Sequence, residues 1–359
     1  MPIIPLFGHE QLQRRFRDAL RRGALPNSLL LHGPRGVGKQ RLALWLGTLL
    51  LCSGKEPRPC GQCANCRMSS SLSHPDLHWY FPRPRLKDGD PSPEEVALDY
   101  AEAIAERVAN HGLYGPPSGM DGLYVATSRA IVSAAALSPA IASRKVFVVG
   151  DAERMVPQEG VDAAANAFLK LLEEPPSSAT IILTSSEPGA LLPTICSRAI
   201  AVRVPPLSDH AMRAFVEHPS VAAAVREGGA GPSSVSELVR AAAGAPGRLL
   251  AREALNDALA EAHRLLEAAQ SPDPGARYRA ALTQGSHRAR GGFTETLDAL
   301  ESLLHRKAQE SAARGNDRGA IGASAAVAAV ERAKELAAGN VSPQLLGARL
   351  LRDLSQLLQ

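Results

Sequence analysis

The sequence predicts an α/β fold followed by all-α sequence: a parallel-sheet domain with a phosphate-binding loop and an inserted cysteine module, then two helical domains. Three observations carry this. The apolar run Ser28-Leu29-Leu30-Leu31-His32 enters Gly33-Pro34-Arg35-Gly36-Val37-Gly38-Lys39, and a helical pattern follows over 39–51. That is the strand, glycine loop and helix order of a phosphate cradle. Further apolar runs alternate with helical patterns to residue 205, as in a parallel sheet. Beyond Pro205-Pro206 the strand signal ends, and Ala- and Leu-rich sequence favours helices.

In order along the chain, residues 9–22 read as an amphipathic helix with Leu12, Phe16, Ala19 and Leu20 on one face. Its arginines Arg14, Arg15, Arg21 and Arg22 make a basic, solvated face. Residues 82–120 form a polar insertion punctuated by Pro and Gly, with a helix at 93–109 and no evident chemistry. Arg144-Lys145 lead into a strand at Val146-Phe147-Val148-Val149. A helix from Ala163 to Leu172 is stopped by Pro175-Pro176. Thr180–Thr184 and Ala199–Val204 complete the strands. Helical sequence then runs to about 250, broken by a Gly- and Ser-rich stretch at 228–234, and a second helical block fills 252–359. The expected domains are therefore 1–205, 206–250 and 251–359, and no internal repeat is present.

A chain of 359 residues with 45% hydrophobic content holds two or three domains with real cores. The net charge of +4 is mildly basic. No window approaches the roughly twenty apolar residues of a membrane span. Met1-Pro2-Ile3-Ile4-Pro5 has no charged region followed by an apolar run, so a cytoplasmic location is expected. In a reducing compartment, Cys52, Cys60, Cys63 and Cys66, spaced C-x7-C-x2-C-x2-C, point to a metal rather than disulfides. Four thiolates on one tetrahedral ion leave no open position, which makes a structural Zn²⁺ site the expectation; an iron–sulfur cluster is the alternative. His74 and His78 lie close in sequence and are read as bystanders.

The loop departs from its own pattern. Its glycines turn backbone N–H groups inward and Lys39 supplies charge, but Gln40 stands where a Ser or Thr hydroxyl should hold Mg²⁺. The acidic partner should follow a second apolar strand, with Asp for the metal shell and Glu for water. After Val149 the sequence reads Gly150-Asp151-Ala152-Glu153, so either glycine takes the Asp position or a one-residue slip displaces the glutamate. Hydrolysis is not expected, nor is firm ATP/Mg²⁺ binding. Lys39 is left with two uses: binding nucleotide without turnover, or pairing with Asp151.

Several runs occur in a telling order. Leu25-Pro26-Asn27-Ser28 precedes the loop. Lys145 to Met155 and Ala163 to Pro176 follow it, then Pro193-Thr194-Ile195-Cys196-Ser197-Arg198-Ala199 and Gly244-Ala245-Pro246-Gly247-Arg248. Over roughly 5–250 the chain thereby resembles the AAA+ clamp-loader family of bacterial DNA polymerase III, and within it the delta-prime branch. Ala199 replaces the cysteine of the family's Ser-Arg-Cys motif.

The resemblance implies an AAA+ domain with a zinc module at about 52–66, a helical lid and a C-terminal oligomerisation collar. It implies that Arg198 reaches the γ-phosphate of ATP held by a neighbouring subunit, a role suited to a permanently charged planar fork. Ser185 or Ser186 falls in the sensor-1 region and Arg248 in the sensor-2 region. A degenerate nucleotide site would comprise Gly33, Gly36, Gly38, Lys39, Gln40, Asp151 and Arg248. The implied partners are gamma/tau ATPase subunits, the delta subunit, the sliding clamp and, through the complex, primer–template DNA. An active gamma/tau-type motor is the alternative, against which Gln40 and Gly150 argue. A zinc-bearing AAA+ module in another nucleic-acid process is a third reading.

Overall fold

The computed structural model describes residues 2–86, 91–117, 121–155, 162–227, 234–250, 252–283, 292–337 and 342–358. Of the Gly- and Ser-rich break expected at 228–234, all but Ser234 lies outside the described residues. One compact unit ends at Leu250, and the helices beyond it make a second.

The first unit begins α1 (Glu10–Arg21), β1 (Ser28–His32), α2 (Lys39–Leu51), α3 (Ala64–Ser70), β2 (Leu77–Tyr80) and α4 (Pro93–Ala109). It continues α5 (Val125–Ala136), β3 (Lys145–Val149), α6 (Asp162–Glu173), β4 (Ala179–Ser185), α7 (Pro193–Cys196) and β5 (Ile200–Arg203). The strands form a five-stranded parallel sheet in the order β2-β3-β4-β1-β5. This is the P-loop AAA+ type of α/β sheet, with the glycine loop leaving β1 between β4 and β5. Parallel strands need both faces covered, and β3 and β4 are buried along their whole length. Val146, Phe147, Val148 and Val149 are 0% exposed, which explains why this strand reads as an unbroken apolar run.

Four elements escaped the sequence reading: β2, α3, α5 and the short α7. The β2 strand, Leu-His-Trp-Tyr, has no apolar run; it is an edge strand, paired among the described residues with β3 alone. Its start is fixed by Asp76, fully buried, whose carboxylate accepts backbone N–H groups of Ala140 (2.6 Å), Ile141 (2.9 Å) and Ala142 (2.8 Å). The insertion helix α4 sits at 93–109 as its sequence signals demand: Ser92 caps the Glu95 amide, Glu95 caps back, and Pro93 opens the first turn.

After β5 the first unit continues with α8 (Asp209–Glu217), α9 (Pro219–Glu227), α10 (Val235–Ala242) and α11 (Gly247–Leu250). These share an apolar cluster of their own around Leu207, Met212, Phe215, Val221, Leu238 and Leu249, joined by Ile4 and by Leu113 from the insertion. The second unit holds α12 (Arg252–Gln270), α13 (Pro274–Leu282), α14 (Gly292–Ala313), α15 (Asp317–Ala337) and α16 (Pro343–Leu357). Leu297, Leu300, Leu304, Val330, Leu351 and Leu354 form its core. Lys334 of α15 bridges Asp298 (2.6 Å) and Glu301 (3.1 Å) of α14, which hold its pKa up against burial.

Candidate functional site

Gly36 and Gly38 take positive φ of 78° and 93°, turning the loop between β1 and α2. A second backbone segment closes on it: Gly247 N–H donates to Gly36 O at 2.9 Å, and a β-carbon on Gly247 would lie 2.8 Å from the Gly36 Cα. Two glycines are needed for that approach. From the other side, the buried ring of His9 bonds Val37 O through Nε2 at 2.9 Å. Arg248 contributes backbone at this contact, while the residue itself is exposed.

Lys39 is buried and its three ammonium protons are committed. They go to Gly33 O (3.0 Å), Pro34 O (2.9 Å) and Ser186 Oγ (2.8 Å). Burial pushes its pKa down, against the opposing pull of nearby Asp151 and Glu153. Of Ser185 and Ser186, the serines expected in the sensor-1 region, it is Ser186 that touches the lysine. Ser186 also donates its N–H to Glu153 Oε1 at 2.9 Å, and Glu153 Oε2 is buried with no hydrogen-bond partner among the described residues. Burial and the adjacent Asp151 push the Glu153 carboxyl pKa up.

Asp151 is held by Gln40, not by Lys39. The Gln40 Nε2 donates to Asp151 Oδ2 at 3.0 Å, and its Oε1 accepts from Trp79 Nε1 at 3.0 Å. Both ends of this buried carboxamide are thus satisfied. It spans the gap between the glycine loop and the end of β3, and it does so at the expense of residue 150. A β-carbon on Gly150 would fall 2.4 Å from the Gln40 Cδ and Oε1. Glycine thus stands beside the amide, and Asp151 lies in its hydrogen-bond range.

Behind the amide lies a feature the sequence reading missed. The insertion, which had shown no chemistry, carries Arg107 from α4 into an aromatic cage. Its guanidinium carbon lies 3.3 Å from the Phe81 ring centre, 4.0 Å from Tyr114 and 4.5 Å from Trp79. Burial pushes the Arg107 pKa down to about 10. Trp79 therefore links this cage to Gln40. The signal was thin: one of two tryptophans in the chain, placed before a polar insertion.

The four cysteines come together as expected. The sulfurs of Cys52, Cys60, Cys63 and Cys66 all lie within 4.8 Å of one another, and all four thiols are free. Cys52 ends α2, and Cys63 caps α3, accepting the Cys66 N–H at 3.4 Å. Burial would raise the Cys63 thiol, but N–H donation from Cys66 and hydrogen bonds to Ser53 outweigh it and bring it to about 5. Four sulfurs this close together fit one tetrahedral ion and leave it no open position. His74 and His78 stand outside the quartet: His74 Nδ1 accepts the Asp76 N–H, and His78 stacks on Phe147 at 4.8 Å.

Arg198 follows α7 and precedes β5. Its Nε donates to Glu173 Oε1 at 2.6 Å and its Nη1 to Thr194 O at 2.7 Å. Its hydrogen-bond partners, Glu173, Thr194 and Ser197, are distinct from those of Lys39 and Gln40.

Fold and site together define a P-loop AAA+-type protein with a four-cysteine cluster and a glutamine bridging the glycine loop to the end of β3. The family model described as DNA polymerase III, delta subunit, matches residues 8–208, and the chain belongs to that family. Among curated relatives, the chain is 32% identical over 184 residues to the DNA polymerase III subunit delta' of Pseudomonas aeruginosa, covering 50% of this chain and 43% of that one. It is 27% identical over 196 residues to the subunit delta' of Haemophilus influenzae, covering 55% and 46%. The gamma/tau subunit of Mycobacterium tuberculosis is 29% identical over 210 residues, covering 58% and 29%. The matches thus span under half the length of these relatives. Among the described residues, no helix is long and apolar enough to cross a membrane.

Proposed function

We propose that this chain is a delta-prime-type scaffold subunit of a DNA polymerase III clamp loader, one that does not hydrolyse ATP at its own loop. The observation that carries this is the Gln40 carboxamide, which bonds Asp151 and crowds Gly150. The space it fills is where a Ser or Thr hydroxyl and an Asp would share Mg²⁺. A neutral amide cannot stand in for that charge, and Lys39 is turned onto loop carbonyls. The active gamma/tau reading is weaker on the same ground.

Arg198 then acts in trans, its guanidinium stabilising charge on a triphosphate bound by a gamma/tau-type neighbour. Such a chain would assemble with gamma/tau and delta subunits in the cytoplasm and act with the sliding clamp on primer–template DNA in replication. Residues 206–250 serve as lid and 251–359 as collar in this reading. Cys52, Cys60, Cys63 and Cys66 would hold a structural Zn²⁺, which crosslinks α2 to α3 and takes no part in chemistry.

The test is reconstitution with the cognate gamma/tau-type ATPase, delta, clamp and primed DNA. Stimulated ATP turnover that is lost with Arg198→Ala supports the reading. Stimulation that survives Arg198→Ala refutes the trans role.

A further inference from the structure

The inference that follows rests on the trans role of Arg198. In this chain the guanidinium is folded back on itself. Nε and Nη2 both meet Glu173 Oε1, and Nη1 donates to Thr194 O and, at 3.3 Å, to Ser197 Oγ. Most of the donors that would grip a phosphate are therefore in use.

Glu173 is the last residue of α6, and Glu174 follows it. A helix C-terminus carries partial negative charge, so two carboxylates there are poorly placed unless a cation answers them. Arg198 supplies it. The side chains are 27% and 42% exposed, so the pair sits at the water's edge, where an ion pair changes an equilibrium by about two- to five-fold at most. A triphosphate offers more charge and several acceptor oxygens in bidentate geometry, and it outcompetes a single carboxylate.

We propose that Glu173 is a built-in latch on Arg198: a resting counter-ion that holds the arginine back until phosphate oxygens on a partner subunit displace it. The latch sets how much partner is needed, not how fast the engaged complex turns over. Glu173 is thus a positioning residue, not a catalytic one.

The experiment is a titration of this chain into the gamma/tau-type ATPase with delta, clamp, primed DNA and ATP, read as half-saturating concentration and maximal rate. Glu173→Gln, which keeps shape and removes charge, should lower the half-saturating concentration by about two- to five-fold and leave the maximal rate unchanged. Glu173→Asp, which keeps the charge, should behave as wild type. The double variant with Arg198→Ala should match Arg198→Ala alone. Thermal melts of each variant establish that it folds. If Arg198→Ala abolishes stimulation while Glu173→Gln leaves the half-saturating concentration unchanged or raised, the latch is overturned and the trans role stands. If Glu173→Asp shifts as Glu173→Gln does, the effect is structural and the latch is again overturned. If Arg198→Ala has no effect, the underlying reading fails first.

Discussion

Gln40 and Gly150 are a matched pair: the Gln40 carboxamide lies where any side chain on residue 150 would begin, 2.4 Å from a β-carbon built there. Two departures from the phosphate-loop sequence pattern, separate in sequence, meet in space. Restoring either residue alone meets a clash or leaves a hole.

Gly150→Ala should therefore destabilise the chain by about 1–3 kcal/mol in a denaturant melt, the usual cost of overpacking a filled site. In a Gln40→Ala background most of that cost should vanish. Additive effects would mean that the two residues do not share one space.

Arg107 is the cation that the insertion contributes to the core. Arg107→Ala removes it from between Trp79, Phe81 and Tyr114 and should cost about 2–4 kcal/mol through lost packing and lost cation–π attraction. Because Trp79 also holds Gln40, tryptophan fluorescence should shift as well. A variant as stable as wild type would show the cage to be incidental.

Four of the five strands, the loop and the cysteine quartet were legible because each rests on local pattern. Val146 to Val149 form a fully buried strand, and Cys60, Cys63 and Cys66 lie three residues apart on one turn. What escaped depends on distant partners. The β2 strand exists because β3 offers it an edge, and Asp76 because three amides from 140–142 converge on it. Lys39 does not pair with Asp151 as one of its expected uses required: loop carbonyls and Ser186 take its protons. That Gln40 would reach Asp151, and that Arg107 would arrive behind Trp79, follow from folding alone.

Acid stability should fall in two steps. Burial, reinforced by nearby Lys145, holds the His78 pKa down to about 4, below its ordinary 6.5. Between those values the unfolded chain binds the proton and the folded one does not, so stability is lost as pH falls from about 6.5 to 4. Asp76 acts lower. Burial would raise its carboxyl, but amides of Ala142, Ala140 and Ile141 outweigh it and hold the pKa below the usual 3.8. Its contribution is full above that value and disappears as pH falls through the depressed one. Melts against pH should show His78→Phe flattening the upper step and Asp76→Asn removing the lower one.

Gly54 packs against the cysteine cluster so closely that a β-carbon would lie 2.4 Å from Cys60 Sγ. Wild-type chain purified without chelator should carry one Zn²⁺ per molecule by elemental analysis. Gly54→Ala and Cys60→Ser should both lose metal and melt earlier, by several degrees. Iron in place of zinc would assign the cluster to the alternative chemistry.

The central claim is that Gln40 has replaced the metal. It is tested most directly by ATP turnover of the isolated chain with and without Mg²⁺, beside Lys39→Ala. The account predicts no Mg²⁺-dependent hydrolysis above the Lys39→Ala background. Clear Mg²⁺-dependent turnover that Lys39→Ala abolishes would contradict it and make this chain a motor in its own right.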